Sequence, residues 1–160
     1  MRVTDQYFWN FVFSLFFMAL VVMGIVALDS DTARSFTSLT LVDYMLMSLA
    51  SWRLIRLFIY DTVTKFVREQ FYDATKVKGG IMLEKPTRGP RRTLADLFSC
   101  PWCFGVWATA LVVFCYMSFS WAVFPVAFLA LSAVASFLQI LSNLIGHKAE
   151  QLKNQNELGL

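Results

Sequence analysis

Four apolar runs, each close to the length that crosses a bilayer, divide this chain, and its basic residues gather between the second and third. No charged residue interrupts the stretch from Tyr7 to Leu28. About 20 apolar residues cross a hydrocarbon core, so this run predicts a membrane helix over 7–28. A secretory signal has an apolar region of about 7–15 residues ending at a small-residue site. The run here is longer and leaves through Val26-Ala27-Leu28-Asp29, so it reads as a retained helix. Thr40 and Asp43 have capping-box spacing and open the second run. That run predicts a span over 41–60, although it carries Arg53 and Arg56.

Val63, Phe66, Val67 and Phe71 continue at helical spacing, with Lys65, Arg68 and Glu69 on the other faces. They predict an amphipathic extension to about Tyr72. Gly79-Gly80, Pro86 and Gly89-Pro90 then mark a polar loop over 73–92. Thr93 and Asp96 repeat the capping-box spacing ahead of Leu97-Phe98. The third run predicts a span over 100–119 and the fourth one over 121–145, with Pro125 tolerated in its first turns. Few residues join these two, so they are expected to form a tight antiparallel hairpin. A polar tail covers 146–160. The expectation is a single transmembrane domain over 1–160: an all-α integral membrane four-helix bundle with a basic loop over 61–99.

Charge placement orients it. Lys65, Arg68, Lys76, Lys78, Lys85, Arg88, Arg91 and Arg92 lie between the second and third runs, against Arg34 alone between the first and second. Positively charged loops stay cytoplasmic, so the long loop faces the cytoplasm and, with four spans, both termini do too. Composition agrees: 58% of residues are hydrophobic and 16% charged, against about 25% charged in soluble domains. A net charge of +3 points to no nucleic-acid role. Lys76, Lys78, Arg88, Arg91 and Arg92 are instead expected to meet anionic lipid headgroups, at about 1 kcal/mol for each well-placed charge.

Two constellations carry candidate chemistry. Residues 99–107 read SCPWCFGVW. Pro101 suits a first helical position, Ser99 or Cys100 can cap it, and Trp102 and Trp107 suit a membrane interface. A thiol at a helix N-terminus is acidified, which opens a redox reading. Against it stand a reducing cytoplasm and the lack of an exchange partner, since Cys115 lies about 18 Å further along the helix. Zinc needs four ligands. Cys100 and Cys103 supply two, His147 falls at the same membrane depth, and two chains could pool their cysteines. The second constellation is a stripe on the fourth run: Ser132, Ser136, Gln139, Asn143 and His147, spaced 4, 3, 4 and 4 apart. Such residues face a bundle interior rather than lipid. With Arg53, Arg56 and Asp61 of the second run, Gln139 and Asn143 are expected to form an interior polar cluster under the cysteines. The alternative for the arginines is snorkelling to headgroups.

Ala50–Asp61 (ASWRLIRLFIYD), then Arg68, then Cys100–Trp107 (CPWCFGVW) together resemble a small bacterial and phage membrane family, domain of unknown function thirteen-sixty, some of whose members are labelled sporulation proteins. The matching positions are Arg53, Arg56, Asp61, Arg68, Cys100, Pro101, Trp102, Cys103, Gly105 and Trp107, within about 43–145. The resemblance implies that arginines and cysteines belong to one unit and carries over no catalytic role. The expected function is therefore a multi-pass protein of the bacterial inner membrane acting as a non-enzymatic subunit, adaptor or assembly factor. Its partners would be the bilayer, anionic headgroups and a protein or second copy. The alternatives are a thiol-redox or zinc protein using the cysteine pair, and a phage holin-type protein.

Overall fold

The computed structural model describes residues 2–30, 34–77 and 80–157. Six helices and one hairpin follow in order: α1 Arg2–Ser30, α2 Leu41–Ile59, α3 Lys65–Glu69, β1 Asp73–Val77, β2 Gly80–Glu84, α4 Pro90–Ser99, α5 Pro101–Ser118 and α6 Val123–Glu157. Three of these helices contain stretches long and apolar enough to cross a membrane, Gln6–Leu28, Pro101–Ser118 and Ser120–Lys153. At 19 residues α2 has a similar length, but Asp43, Arg53 and Arg56 set it apart from the other three.

Helix α2 is the centre of the packing. Its buried Met47 and Ala50 form one cluster with Val112 and Tyr116 of α5 and Val126 of α6, and Ser51 is buried beside them in α2. Ala50, Ala108, Ala130 and Ala133 are all at most 2% exposed, and small side chains let helix backbones approach closely. The Ser51 hydroxyl donates to the Met47 carbonyl at 2.7 Å, so burying it leaves no unsatisfied polar group. The expected α5–α6 hairpin has its short connection, the single turn Ser120–Ala122. The two helices touch each other little, because α2 takes the larger share of both.

Helix α1 stands apart from this core. It runs alongside α5 in the same direction, with Phe17 4.7 Å from the Trp107 ring and Gly24 beside Phe114. At its start Gln6 Nε2 donates to Thr93 of α4 at 2.9 Å. Of the expected four-helix bundle, the described residues show three packed helices with α1 laid along α5.

The segment expected to be loop is the most altered. The amphipathic helix does not continue to Tyr72; α2 stops at Ile59, and a turn at Thr62–Thr64 leads into the five-residue α3. The expected polar loop contains an antiparallel hairpin pairing Asp73 with Glu84 through to Val77 with Gly80, so the fold is helical with a small sheet. Gly89 precedes α4 with φ +82° and ψ −175°, a region that glycine alone occupies readily, and Pro90 then fills the first helical turn. The tail is also ordered: α6 continues through Gly146 to Glu157.

Candidate functional site

The last turn of a helix leaves four carbonyls without intrahelical partners. In α2 each of these finds one. Arg56 O accepts from the N–H groups of Tyr60 and Asp61. Leu57 O accepts from the Thr64 hydroxyl, and Phe58 O and Ile59 O accept from the Arg68 guanidinium. The chain therefore turns sharply after Tyr60, which brings Asp61 back beside α2. Its carboxylate lies 3.0 Å from an Arg53 guanidinium nitrogen.

Arg53 also reaches across to α6, where its Nε donates to Ser132 Oγ at 2.9 Å. A cleft of about 390 Å³ opens at this seam, lined by Arg53, Arg56 and Asp61 from the α2 side and by Ala135, Ser136, Gln139 and Ile140 from α6. Arg56 sits between two rings of its own helix: its guanidinium carbon is 5.5 Å from the Trp52 ring centre and 5.6 Å from that of Tyr60. Its Nε is buried without a hydrogen-bond partner among the described residues. Of the five residues expected to cluster, Arg53, Arg56, Asp61 and Gln139 meet here. Asn143 lies one turn beyond and accepts from Gln139 Nε2 at 3.0 Å. Gln139, Asn143 and His147 are exposed on α6 rather than enclosed within this chain.

The cysteine motif forms a helix entry. Cys100 is the cap of α5, and its Sγ accepts from the Cys103 N–H at 3.3 Å. The Cys103 thiol and that N–H together hold the Cys100 thiol below the ordinary cysteine value. All three cysteines are free thiols. Among the described residues no three His, Cys, Asp or Glu side chains come together as metal ligands, so His147 does not join Cys100 and Cys103 within one chain. Next to this entry, Phe58 of α2, Phe98 of α4 and Phe104 of α5 pack with ring centres 5.2–6.5 Å apart, and Phe71 stacks on Phe98 at 5.2 Å. This aromatic cluster ties the arginine-bearing end of α2 to the cysteine-bearing start of α5.

The residues expected at headgroups divide. Arg91 bonds Asp73 at 3.1 Å and the Gln70 carbonyl at 2.9 Å. Arg92 donates to the Thr87 carbonyl at 3.1 Å. Arg91 therefore ties α4 to β1, whereas Arg92 bonds the connection just ahead of α4. Arg88 is exposed. The Lys76 side chain and Lys78 lie outside the described residues. Sequence reasoning missed Trp52 and Tyr60, although 52, 56 and 60 have the spacing of four that stacks side chains on one helix face. It also missed a second cluster at the opposite end, where Arg34 donates to Tyr116 O at 2.9 Å and the Tyr116 hydroxyl bonds Asp43.

These features define a class: a small helical protein with three span-length apolar helices and a charged cleft where a fourth helix ends. The chain belongs to the family described as protein of unknown function DUF1360, whose model matches residues 46–142. It is similar to UPF0713 protein YngL of Bacillus subtilis strain 168, with 28% identity over 110 residues that cover 68% of this chain and 82% of that protein. It is also similar to sporulation protein YjcA of the same organism, with 34% identity over 110 residues, 63% of this chain and 88% of that protein. No solved structure matches. The matched region begins within α2 and ends within α6. It includes the whole cleft and the cysteine motif and leaves α1 outside.

Proposed function

We propose that this chain is a multi-pass protein of the bacterial inner membrane, with all four long helices crossing and both termini in the cytoplasm. In this reading it acts as a non-enzymatic subunit, adaptor or assembly factor. The outward surfaces of α1, α5 and α6 support the membrane part: Phe11, Phe16, Trp102, Phe124, Phe128 and Leu131 are all more than half exposed, which lipid favours and water penalises. The start of α1, the end of α2 and the entry to α5 share one end of the molecule with the hairpin and α4. That end holds Lys65, Arg68, Lys85, Arg88, Arg91 and Arg92, as the positive-inside rule requires of a cytoplasmic face.

One observation carries the adaptor reading. Helix α6 has 35 residues and is about 52 Å long, against a hydrocarbon core of about 30 Å. Its last turns, exposed from His147 to Gln151, extend as a helical arm beyond the bilayer on the basic side, where a cytoplasmic partner can dock. The relative named a sporulation protein makes sporulation the process to test first in a spore-forming host. Fluorescent-protein and alkaline-phosphatase fusions at the C-terminus test the topology, with fluorescence and no phosphatase activity expected; the reverse pattern overturns it. Truncation after Gly146 is expected to leave membrane insertion intact and to abolish the deletion phenotype's complementation. Full complementation by the truncated chain would exclude the arm as the docking element.

A further inference from the structure

Asp61 neutralises one of the two guanidinium groups in the α2–α6 cleft, which leaves the charge of Arg56. Among the described residues no carboxylate lies within ion-pair distance of Arg56. The faces of Trp52 and Tyr60 attract the cation, but they leave unmet the hydrogen-bonding need of its planar fork of five N–H donors. The buried, unpartnered Nε is one of those donors. The cleft beside it is roomy at about 390 Å³ and has Gln139 and Ser136 in its lining. An acceptor that is anionic, planar-forked in its recognition and small enough for this space completes the arrangement.

We propose that the cleft binds a phosphate group, with Arg56 engaging two of its oxygens in a fork and Gln139 adding a further N–H. Guanidinium and phosphate match geometrically, and charge-assisted bonds of this kind are about twice as strong as neutral ones. Depth is consistent with this ligand. Arg56 lies about 22 Å along α2 from Leu41, and Gln139 about 24 Å along α6 from Val123, at 1.5 Å per residue. The two helices start at the same end of the molecule, so both groups fall at one level, in the last quarter of a core about 30 Å thick. A headgroup phosphate of the adjacent leaflet can reach that level, and so can a soluble phosphate entering from the basic end.

The test offers full-length protein in uncharged detergent either phosphatidylglycerol, with retention counted by native mass spectrometry, or inorganic phosphate, with binding read by equilibrium dialysis. Arg56→Gln is expected to lower binding of one of these probes about tenfold, the effect of losing a charged fork. Arg56→Lys should recover part of it, and Lys148→Gln, exposed on the last turns of α6, should bind as the unaltered chain does. Lipid retention that depends on Arg56 identifies a headgroup as the ligand; phosphate binding that depends on it identifies a soluble anion. Equal binding of both probes by the unaltered chain and by Arg56→Gln and Arg56→Lys overturns the proposal, as does an equal loss in Lys148→Gln. A thermal melt of each variant separates lost binding from lost fold. The lipid arm rests on the membrane reading and the phosphate arm does not, so a reversed topology with intact phosphate binding would refute that reading alone.

Discussion

At the scale of single residues, the Arg53–Asp61 pair decides how the end of α2 is held. The two side chains are 17% and 29% exposed, so the charges are neither freely hydrated nor deeply buried. Asp61→Ala leaves a half-buried guanidinium with Ser132 as its remaining partner and is expected to cost about 1–3 kcal/mol. Asp61→Asn keeps an acceptor and should cost less, and adding Arg53→Ala to Asp61→Ala should cost less than the sum of the two. Thermal unfolding in detergent measures all of these; strict additivity would mean that water screens the pair. Cys100 makes a different case. Its sulfur caps α5, so Cys100→Ser retains an acceptor and should leave the melting temperature unchanged, while Cys100→Ala should cost about 1 kcal/mol, as for other caps. A loss of function in Cys100→Ser with an unchanged melt would revive the thiol reading. The participants in the cleft were largely legible from the sequence, because an arginine or glutamine inside an apolar run must be accommodated somewhere. Trp52 and Tyr60 were not, since aromatic residues near a membrane have many roles and only the fold shows which cation they flank.

At the scale of elements, the long helices follow from apolar runs; α2 and α5 end within a residue of the expected spans, whereas α1 starts five residues earlier and α6 runs twelve residues beyond 145. The break after Tyr60 does not follow from such a pattern. Val63, Phe66, Val67 and Phe71 keep helical spacing, but periodicity reports only which face is apolar and is blind to side chains that satisfy a helix terminus. Thr64 and Arg68 supply the hydrogen bonds that continuation of α2 would have supplied. The hairpin escaped for a related reason: its strands are five residues each, and the sequence Lys78-Gly79 between them reads equally well as open loop. Arg68→Ala would strip partners from two carbonyls at once and is expected to destabilise by about 1–3 kcal/mol. Arg68→Lys should recover only part of this, because an ammonium lacks the fork that spans two acceptors. Hydrogen exchange at residues 56–64 should rise in Arg68→Ala and stay unchanged at residues 104–116. A uniform rise along the chain would instead mean that Arg68 supports global stability and not this terminus.

At the scale of the whole molecule, α2, α5 and α6 form one closely packed unit, and α1 is a peripheral helix laid along it. Two glycines test this division because they lie at the two seams. A Cβ at Gly105 of α5 would come within 3.2 Å of Ile55 Cδ1 of α2, whereas a Cβ at Gly24 of α1 would meet Phe114 at an ordinary 3.5 Å. Replacing glycine within a helix by alanine favours the helix by about 1 kcal/mol. Gly24→Ala should therefore be neutral or stabilising, and Gly105→Ala should lose that gain to the shift it forces on Ile55. Leucine separates the seams further. Gly105→Leu drives a branched side chain into the contact between α5 and the central helix, where neighbours on both sides of α2 limit relief, and overpacking of this kind costs about 1–3 kcal/mol. Gly24→Leu meets a helix that can move outward as a body, so most of the strain is released by displacing α1 and the melt should fall by less than about 1 kcal/mol. Equal losses at the two sites would mean that α1 is as firmly integrated as the other three helices. The match to the family from residue 46 onward agrees with the asymmetric expectation: the family's part of the chain is the part built around α2, and α1 packs against it without entering its core.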